Sequence, residues 1–339
     1  MILIGSSKGM TGRELVTRAV TFDGPERVPG SLPDPWCNDI LRVRPGPDPG
    51  WKPSVEGEDE FGCIWKKVSP EDRSKGQVKV HPLADWENLE DLRFPDYTIP
   101  ERYSHMPGEI ENNSEDKFVM ASIPLSLIHR LRYLRGNRAA MVDPYMNRDR
   151  LEHLLDHLTQ IALDSLEQIR GMGIDGIVSA DDWGLQDRSF MSPDIFEKFF
   201  KERYAKVYGR AHEYGMLTFL HSCGHISELL DHFIDAHLDV IQMDQQENMG
   251  IENLAEEFGG RISFWCPVDI QNTMVKGSPS EVASYARRLI GTLGTFDGGF
   301  ICKYYGGGEV INHPDENVQA MFRAFAKYGR YLPRDVGRA

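Results

Sequence analysis

The chain has 339 residues, 40% of them hydrophobic and 27% charged, a composition that supports a substantial globular core. With 38 basic against 52 acidic side chains the net charge is −14, which opposes nucleic-acid backbones and anionic lipid surfaces. No apolar run approaches the ~20 residues that span a bilayer, no cationic leader precedes the short apolar start, and five scattered cysteines do not suggest a disulfide framework. A cytoplasmic protein with reduced thiols is expected, binding neither nucleic acid nor membrane.

One domain over 1–339 is expected, in two textures. Residues 1–115 are irregular and rich in Pro and Gly. They hold a helix over 10–19 with Thr11 as N-cap, a proline-rich segment (Pro45, Pro47, Pro49, Pro53) and a hairpin-like pair around 63–68 and 77–81. Residues 116–332 alternate strand and helix. Strands are predicted at 118–122, 176–179, 217–221, 238–243, 261–266 and 299–303. Helical periodicity covers 149–172, 193–213, 226–236, 251–258 and 280–292. In the first of these helices Leu151, Leu154, Leu155, Leu158, Ile161, Ala162, Leu166 and Ile169 fall on one face. Such alternation implies parallel strands with helical crossovers, either a closed barrel or a doubly wound sheet. No G-x-G-x-x-G follows a strand, and the glycines at 306–308 lead into neither a Lys nor a helix start. The (β/α)8 TIM barrel with an irregular N-terminal extension is therefore expected, with 306–308 as a loop over its mouth.

In such a barrel chemistry resides where strands end. Those positions carry Asp181, Asp182, Trp183 and Gln186 after one strand, His221 and Cys223 after the next, then Gln242 and Asp244. Cys266 closes the 261–266 strand behind Trp265, and Cys302, Lys303 and Tyr304 close the last. Asp181, Asp182 and Asp244 are the candidate proton-transfer groups. Being adjacent on extended chain, Asp181 and Asp182 should point oppositely, one functional and one structural. Trp183, Gln186, Gln242, Trp265, Lys303 and Tyr304 are candidate substrate contacts. His221 and Cys223, two apart at a strand end, can face one centre. A His/Cys/Cys set suits zinc and leaves a fourth position open, although a buried cysteine often merely packs. Cys302 is the candidate third ligand, with Cys266 as an alternative.

Six ordered segments resemble the uroporphyrinogen-decarboxylase-like superfamily. They are Asp59-Glu60-Phe61-Gly62, His81-Pro82-Leu83-Ala84-Asp85-Trp86, Asp181-Asp182-Trp183-Gly184-Leu185-Gln186, His221-Ser222-Cys223-Gly224, Val268-Asp269-Ile270-Gln271 and His313-Pro314-Asp315-Glu316-Asn317. The resemblance implies a (β/α)8 barrel, a homodimer, and one of two chemistries. One is metal-independent decarboxylation of a tetrapyrrole. Its enzymes carry an arginine-bearing R-Q-A-G-R segment, where this chain reads Val28-Pro29-Gly30-Ser31-Leu32-Pro33-Asp34-Pro35-Trp36. Without that clamp, an acidic chain binds a polycarboxylate poorly. The other chemistry is zinc-dependent methyl transfer between a small-molecule donor or acceptor and a corrinoid protein, as in O-demethylase systems. His221, Cys223 and Cys302 resemble its H-x-C…C zinc pattern. Anchoring on Pro314 and Asn317 moves the family cysteine towards Gly306 or Gly307, so Cys266, Glu309 or a carboxylate of Asp181 and Asp182 also compete for the third place. The corrinoid (cobalamin) must come with a partner, since Asp235-Ala236-His237-Leu238-Asp239-Val240 only approaches the D-x-H-x-x-G signature. A corrinoid-dependent O-demethylase-type methyltransferase is the expectation, with a carboxy-lyase as its rival.

Overall fold

A computed structural model describes residues 9–69, 76–306 and 312–330. Its strands in chain order are β1 (Gly30–Ser31), β2 (Ile40–Val43), β3 (Ile64–Lys66), β4 (Gln77–Val80), β5 (Phe118–Ser122), β6 (Gly176–Ala180), β7 (Leu217–His221), β8 (Val240–Gln242), β9 (Ser263–Cys266) and β10 (Phe300–Lys303). β3 and β4 form an antiparallel hairpin, and the other eight make one sheet in the order β1-β10-β9-β8-β7-β6-β5-β2. The chain has the (β/α)8-barrel fold. Two of its strands, β1 and β2, come from the proline-rich first third, which the sequence reading left irregular.

The described residues fall into two compact units, one bounded by Met1–Leu41, Glu111–Val119 and Gly250–Ala339, the other by Arg42–Ile110 and Met120–Met249. In the first unit, the helix Gly12–Val20 opens with a capping box between Thr11 and Glu14, which satisfies two of the free N–H groups at its start. β10 lies parallel between β9 and β1, with Cys302 in register with Cys266 on one side and Gly30 on the other. Asp269 accepts N–H bonds from Gln271, Asn272 and Thr273, pinning the turn after β9. Buried Asn317 donates to the carbonyls of Met274 and Gly277.

In the second unit, β5, β6 and β7 run parallel, Ala180 on β6 standing opposite His221 on β7. The helix Arg148–Ile169 buries its periodic face from Leu151 to Ile169. Each fully buried Leu or Ile there stabilises the fold by roughly 1.5–3 kcal/mol. From Pro193 the chain runs helically to Glu213, with a π turn at Glu197–Lys201, and places Phe196, Phe200, Tyr204 and Tyr208 in the core. The helices Leu127–Arg135 and Asn137–Met146 occupy a stretch where the sequence predicted no element. No helix among the described residues is long and apolar enough to cross a membrane.

Candidate metal centre

The chain after β6 begins with the two adjacent aspartates, and the backbone turns them to different tasks. Asp181 is fully buried. Its carboxylate accepts the main-chain N–H groups of Ile128 (2.9 Å) and His129 (2.7 Å) and the hydroxyl of Tyr204 (2.5 Å). Those amides are the free donors at the start of the helix Leu127–Arg135, whose own N-cap Ser126 makes no side-chain cap. Asp181 thus caps this helix from another strand. Burial raises its pKa above the ordinary carboxylate value, against the lowering influence of His129, Tyr204 and the helix amides.

Asp182 points the other way, with a third of its side chain exposed. Its Oδ1 accepts the N–H of Cys223 at 2.9 Å and lies 3.5 Å from His221 Nε2, while Oδ2 is 3.1 Å from His129 Nε2. Burial alone would raise its pKa. The hydrogen bond from His129 and the charges of His129 and His221 outweigh that and hold the carboxyl well below the usual carboxylate range. His129 answers in kind: burial lowers its pKa, but the Asp182 hydrogen bond and both aspartates carry it above the ordinary imidazole value.

His221 ends β7. Its Nδ1 donates to Gln242 Oε1 at 2.5 Å, and Gln242 Nε2 donates to Asp244 at 2.9 Å. Gln242 and Asp244 are both buried. With Nδ1 so engaged, Nε2 is turned towards Cys223 Sγ at 3.4 Å and Asp182 Oδ1 at 3.5 Å. An outer hydrogen bond on one ring nitrogen is the usual way a metal-binding imidazole is oriented. Donor atoms of Asp182, His221 and Cys223 all lie within 4.8 Å of one another, the one such group of three among the described residues.

Two glycines make this convergence possible. A side chain on Gly184 would place its Cβ 2.4 Å from the carbonyl carbon of Gly224, and one on Gly224 would meet Gly184 at the same distance. Gly224 also has φ +79°, which L side chains rarely adopt. The loops after β6 and β7 therefore cross in backbone contact, joined by Gly184 N–H to Cys223 carbonyl (3.1 Å) and His225 N–H to Leu185 carbonyl (2.7 Å). Gln245, following β8, accepts the Gly224 N–H through its side chain at 2.7 Å.

The other sequence candidates lie as follows. Trp183 is not a pocket wall: its indole is fully buried among Phe196, Phe200, Tyr204 and Phe233 and donates to Tyr204 at 3.0 Å. Gln186 is exposed and reaches Asn248 at 3.4 Å. Gln242 and Asp244 sit behind His221, as described. In the first unit, Trp265 is buried and donates to Ser31 at 3.0 Å, Tyr304 packs edge-on against Phe322, and Lys303 stands over Tyr305. Cys266 is buried beside Cys302. Cys302 packs over Gly30, where a Cβ would come within 2.5 Å of its sulfur, and next to Cys37. Burial raises the pKa of this thiol well above its ordinary value. None of the five cysteines is joined in a disulfide. Gly307, Gly308 and Glu309 lie outside the described residues. His129, Gly184, Gly224 and Gln245 were missed by sequence reasoning; a glycine following each polar strand end was the available signal for the crossing.

A parallel strand–helix barrel that gathers carboxylate, imidazole and thiol donors on the loops of neighbouring strands is a (β/α)8-barrel protein with a candidate metal centre. The uroporphyrinogen decarboxylase (URO-D) family model matches residues 119–328, more than half of the chain. The chain belongs to that family. No curated protein matches it at a significant level. Among solved structures, a methyltransferase from Methanosarcina mazei is similar at TM-score 0.67 and 17% identity, over 94% of this chain and 99% of that one, and shares the fold. An L-ribulose 3-epimerase (TM-score 0.41, 14% identity, 74% and 90% covered) and a D-psicose 3-epimerase (0.40, 11%, 68% and 84%) are more distant.

Proposed function

We propose that this protein is a zinc-dependent methyltransferase, moving a methyl group between a small molecule and the corrinoid of a separate protein, in the direction of O-demethylating a methoxylated compound. The observation that carries the reading is the convergence of Asp182, His221 and Cys223 donors within 4.8 Å. Family membership and the likeness to the archaeal methyltransferase agree with it. One oxygen, one nitrogen and one sulfur donor fit zinc, and three protein ligands leave its fourth position to substrate. Cys302, packed against Gly30, is not needed to complete this set.

Bound there, zinc supplies Lewis acidity to an ether oxygen, which is otherwise a poor leaving group. The chain's own residues set how much. His221 presents Nε2 because Gln242 engages Nδ1, and Asp244 orients Gln242. Cys223 gives a single thiolate and Asp182 a carboxylate. A carboxylate donates less charge than a second thiolate would, which preserves acidity for an oxygen ligand and favours ether activation over thiol activation. Asp181, buried and already accepting from Ile128, His129 and Tyr204, is a support and carries no proton for the reaction.

The test is metal content followed by turnover. After metal-replete purification about one equivalent of zinc is expected, with demethylation of a methoxylated compound by cob(I)alamin that a chelator abolishes and zinc restores. Less than about half an equivalent counts against the reading. Turnover of a carboxylated substrate that survives zinc removal would instead support metal-free decarboxylation.

A further inference from the structure

We propose that His129 is a positioning residue for the metal centre, holding the Asp182 carboxylate so that one oxygen faces His221 and Cys223. This rests on the zinc reading above and adds to it the group that orients the carboxylate ligand.

Asp182 stands at a loop with a third of its side chain exposed, and the last torsion of an aspartate is broad and soft. Left alone, such a carboxylate swivels, and ordering it weakens metal binding. Its two oxygens are instead divided. Oδ1 accepts the Cys223 N–H at 2.9 Å and is the oxygen nearer His221, while Oδ2 is 3.1 Å from His129 Nε2. The same nitrogen lies 3.2 Å from the Asp182 main-chain N–H, so the ring engages this residue through carboxylate or amide, one at a time.

His129 can hold Asp182 because it is itself held. Its ring stacks on Tyr133 at 5.4 Å and is only 15% exposed. The helix Leu127–Arg135 is anchored at three places along its length. Asp181 takes its first amides. Arg130 pairs with Asp59 at 3.0 Å and lies over the Phe61 ring. Arg135 pairs with buried Asp143 at 2.8 Å and lies over Trp86. Two of the three ligands then share one design: His221 is oriented by Gln242 and Asp244, Asp182 by His129 and its helix. Loss of such outer partners typically weakens metal affinity by roughly 10- to 100-fold.

The experiment is a Co2+ titration of the metal-stripped full-length protein, followed by visible and near-ultraviolet absorption, with denaturation midpoints measured on the metal-free forms. Three proteins are compared: wild type, His129→Phe, which keeps the stacking ring but no hydrogen bond, and His129→Gln, which restores a nitrogen at similar reach. Wild type is expected to bind one equivalent with a thiolate-to-cobalt band. His129→Phe should bind roughly 10- to 100-fold more weakly, with the same band at saturation and a metal-free midpoint no lower than that of His129→Gln, and His129→Gln should recover most of the affinity. Equal affinity in wild type and His129→Phe overturns the positioning role and leaves the zinc reading intact. So does a weakening accompanied by a metal-free midpoint below that of His129→Gln, or a His129→Gln form with affinity no better than His129→Phe. A wild type that binds neither Co2+ nor Zn2+ sinks the zinc reading itself.

Discussion

Replacing Asp181 with Ala separates the two neighbouring carboxylates. The change removes the acceptor for the Ile128 and His129 amides and for the Tyr204 hydroxyl, at 2.9, 2.7 and 2.5 Å. Ser126 offers no side-chain cap in its place, and Tyr204 keeps only the bond it accepts from Trp183. A buried donor left without a partner costs about 1–3 kcal/mol, so three such donors set a ceiling near ~9 kcal/mol. Water entering the space vacated by the carboxylate and slight retreat of the helix end reduce this, and a loss of about 4 kcal/mol is expected. Asp182→Ala removes a partly exposed group that accepts the Cys223 N–H and pairs with His129, and should cost about 2 kcal/mol. Urea denaturation of the metal-free proteins, read from midpoint shifts at constant slope, measures both. An Asp181→Ala protein within about 1 kcal/mol of wild type, or an Asp182→Ala protein as destabilised as Asp181→Ala, would refute the division of labour.

Further expectations follow from the same geometry. Asp182→Ala should drop the zinc stoichiometry of purified protein well below wild type, whereas Cys302→Ala should leave it unchanged; the reverse pattern would make Cys302 the third ligand. Gly184→Ala should destabilise by at least about 2 kcal/mol and lose metal, because its Cβ would lie 2.4 Å from Gly224 main chain; wild-type behaviour in both assays would show that the loops can part freely. His212 shares a 2.8 Å hydrogen bond with Asp239, which raises its pKa above the ordinary value against the opposing effect of burial. A raised histidine gives its full stabilisation below its unfolded pKa of about 6.5 and loses it as pH climbs through the folded value. His212→Asn should therefore flatten the fall of the metal-free midpoint above that pH, and an unchanged profile would exclude His212 as its source.

The barrel was legible because its second half repeats one signature, and the predicted strands 118–122 and 217–221 and helix 251–258 coincide with Phe118–Ser122, Leu217–His221 and Ile251–Phe258. β1 and β2 were hidden by the prolines around them, which interrupt the strand–helix alternation that exposed the equally short β8, β9 and β10. The helix Leu127–Arg135 was hidden by its arginines. Arg130 and Arg135 are drawn inward by Asp59 and Asp143, so polarity along this stretch does not report direction. His129 went unnoticed with that helix. Trp183 misled for a related reason: alternation of side chains stops where β6 ends at Ala180, and the loop turns the indole back into an aromatic core. The motifs that carried the family resemblance divide similarly. Asp59, Asp269 and Asn317 tie down turns and helix ends, while Asp182, His221 and Cys223 gather at the centre.

The contact between Gly184 and Gly224 bears on how the centre could be changed. Main-chain bonds close that crossing, so the course of both loops is set by backbone alone and not by the side chains they carry. Changing which donor groups meet there therefore calls for new side chains on loops whose path two glycines already dictate.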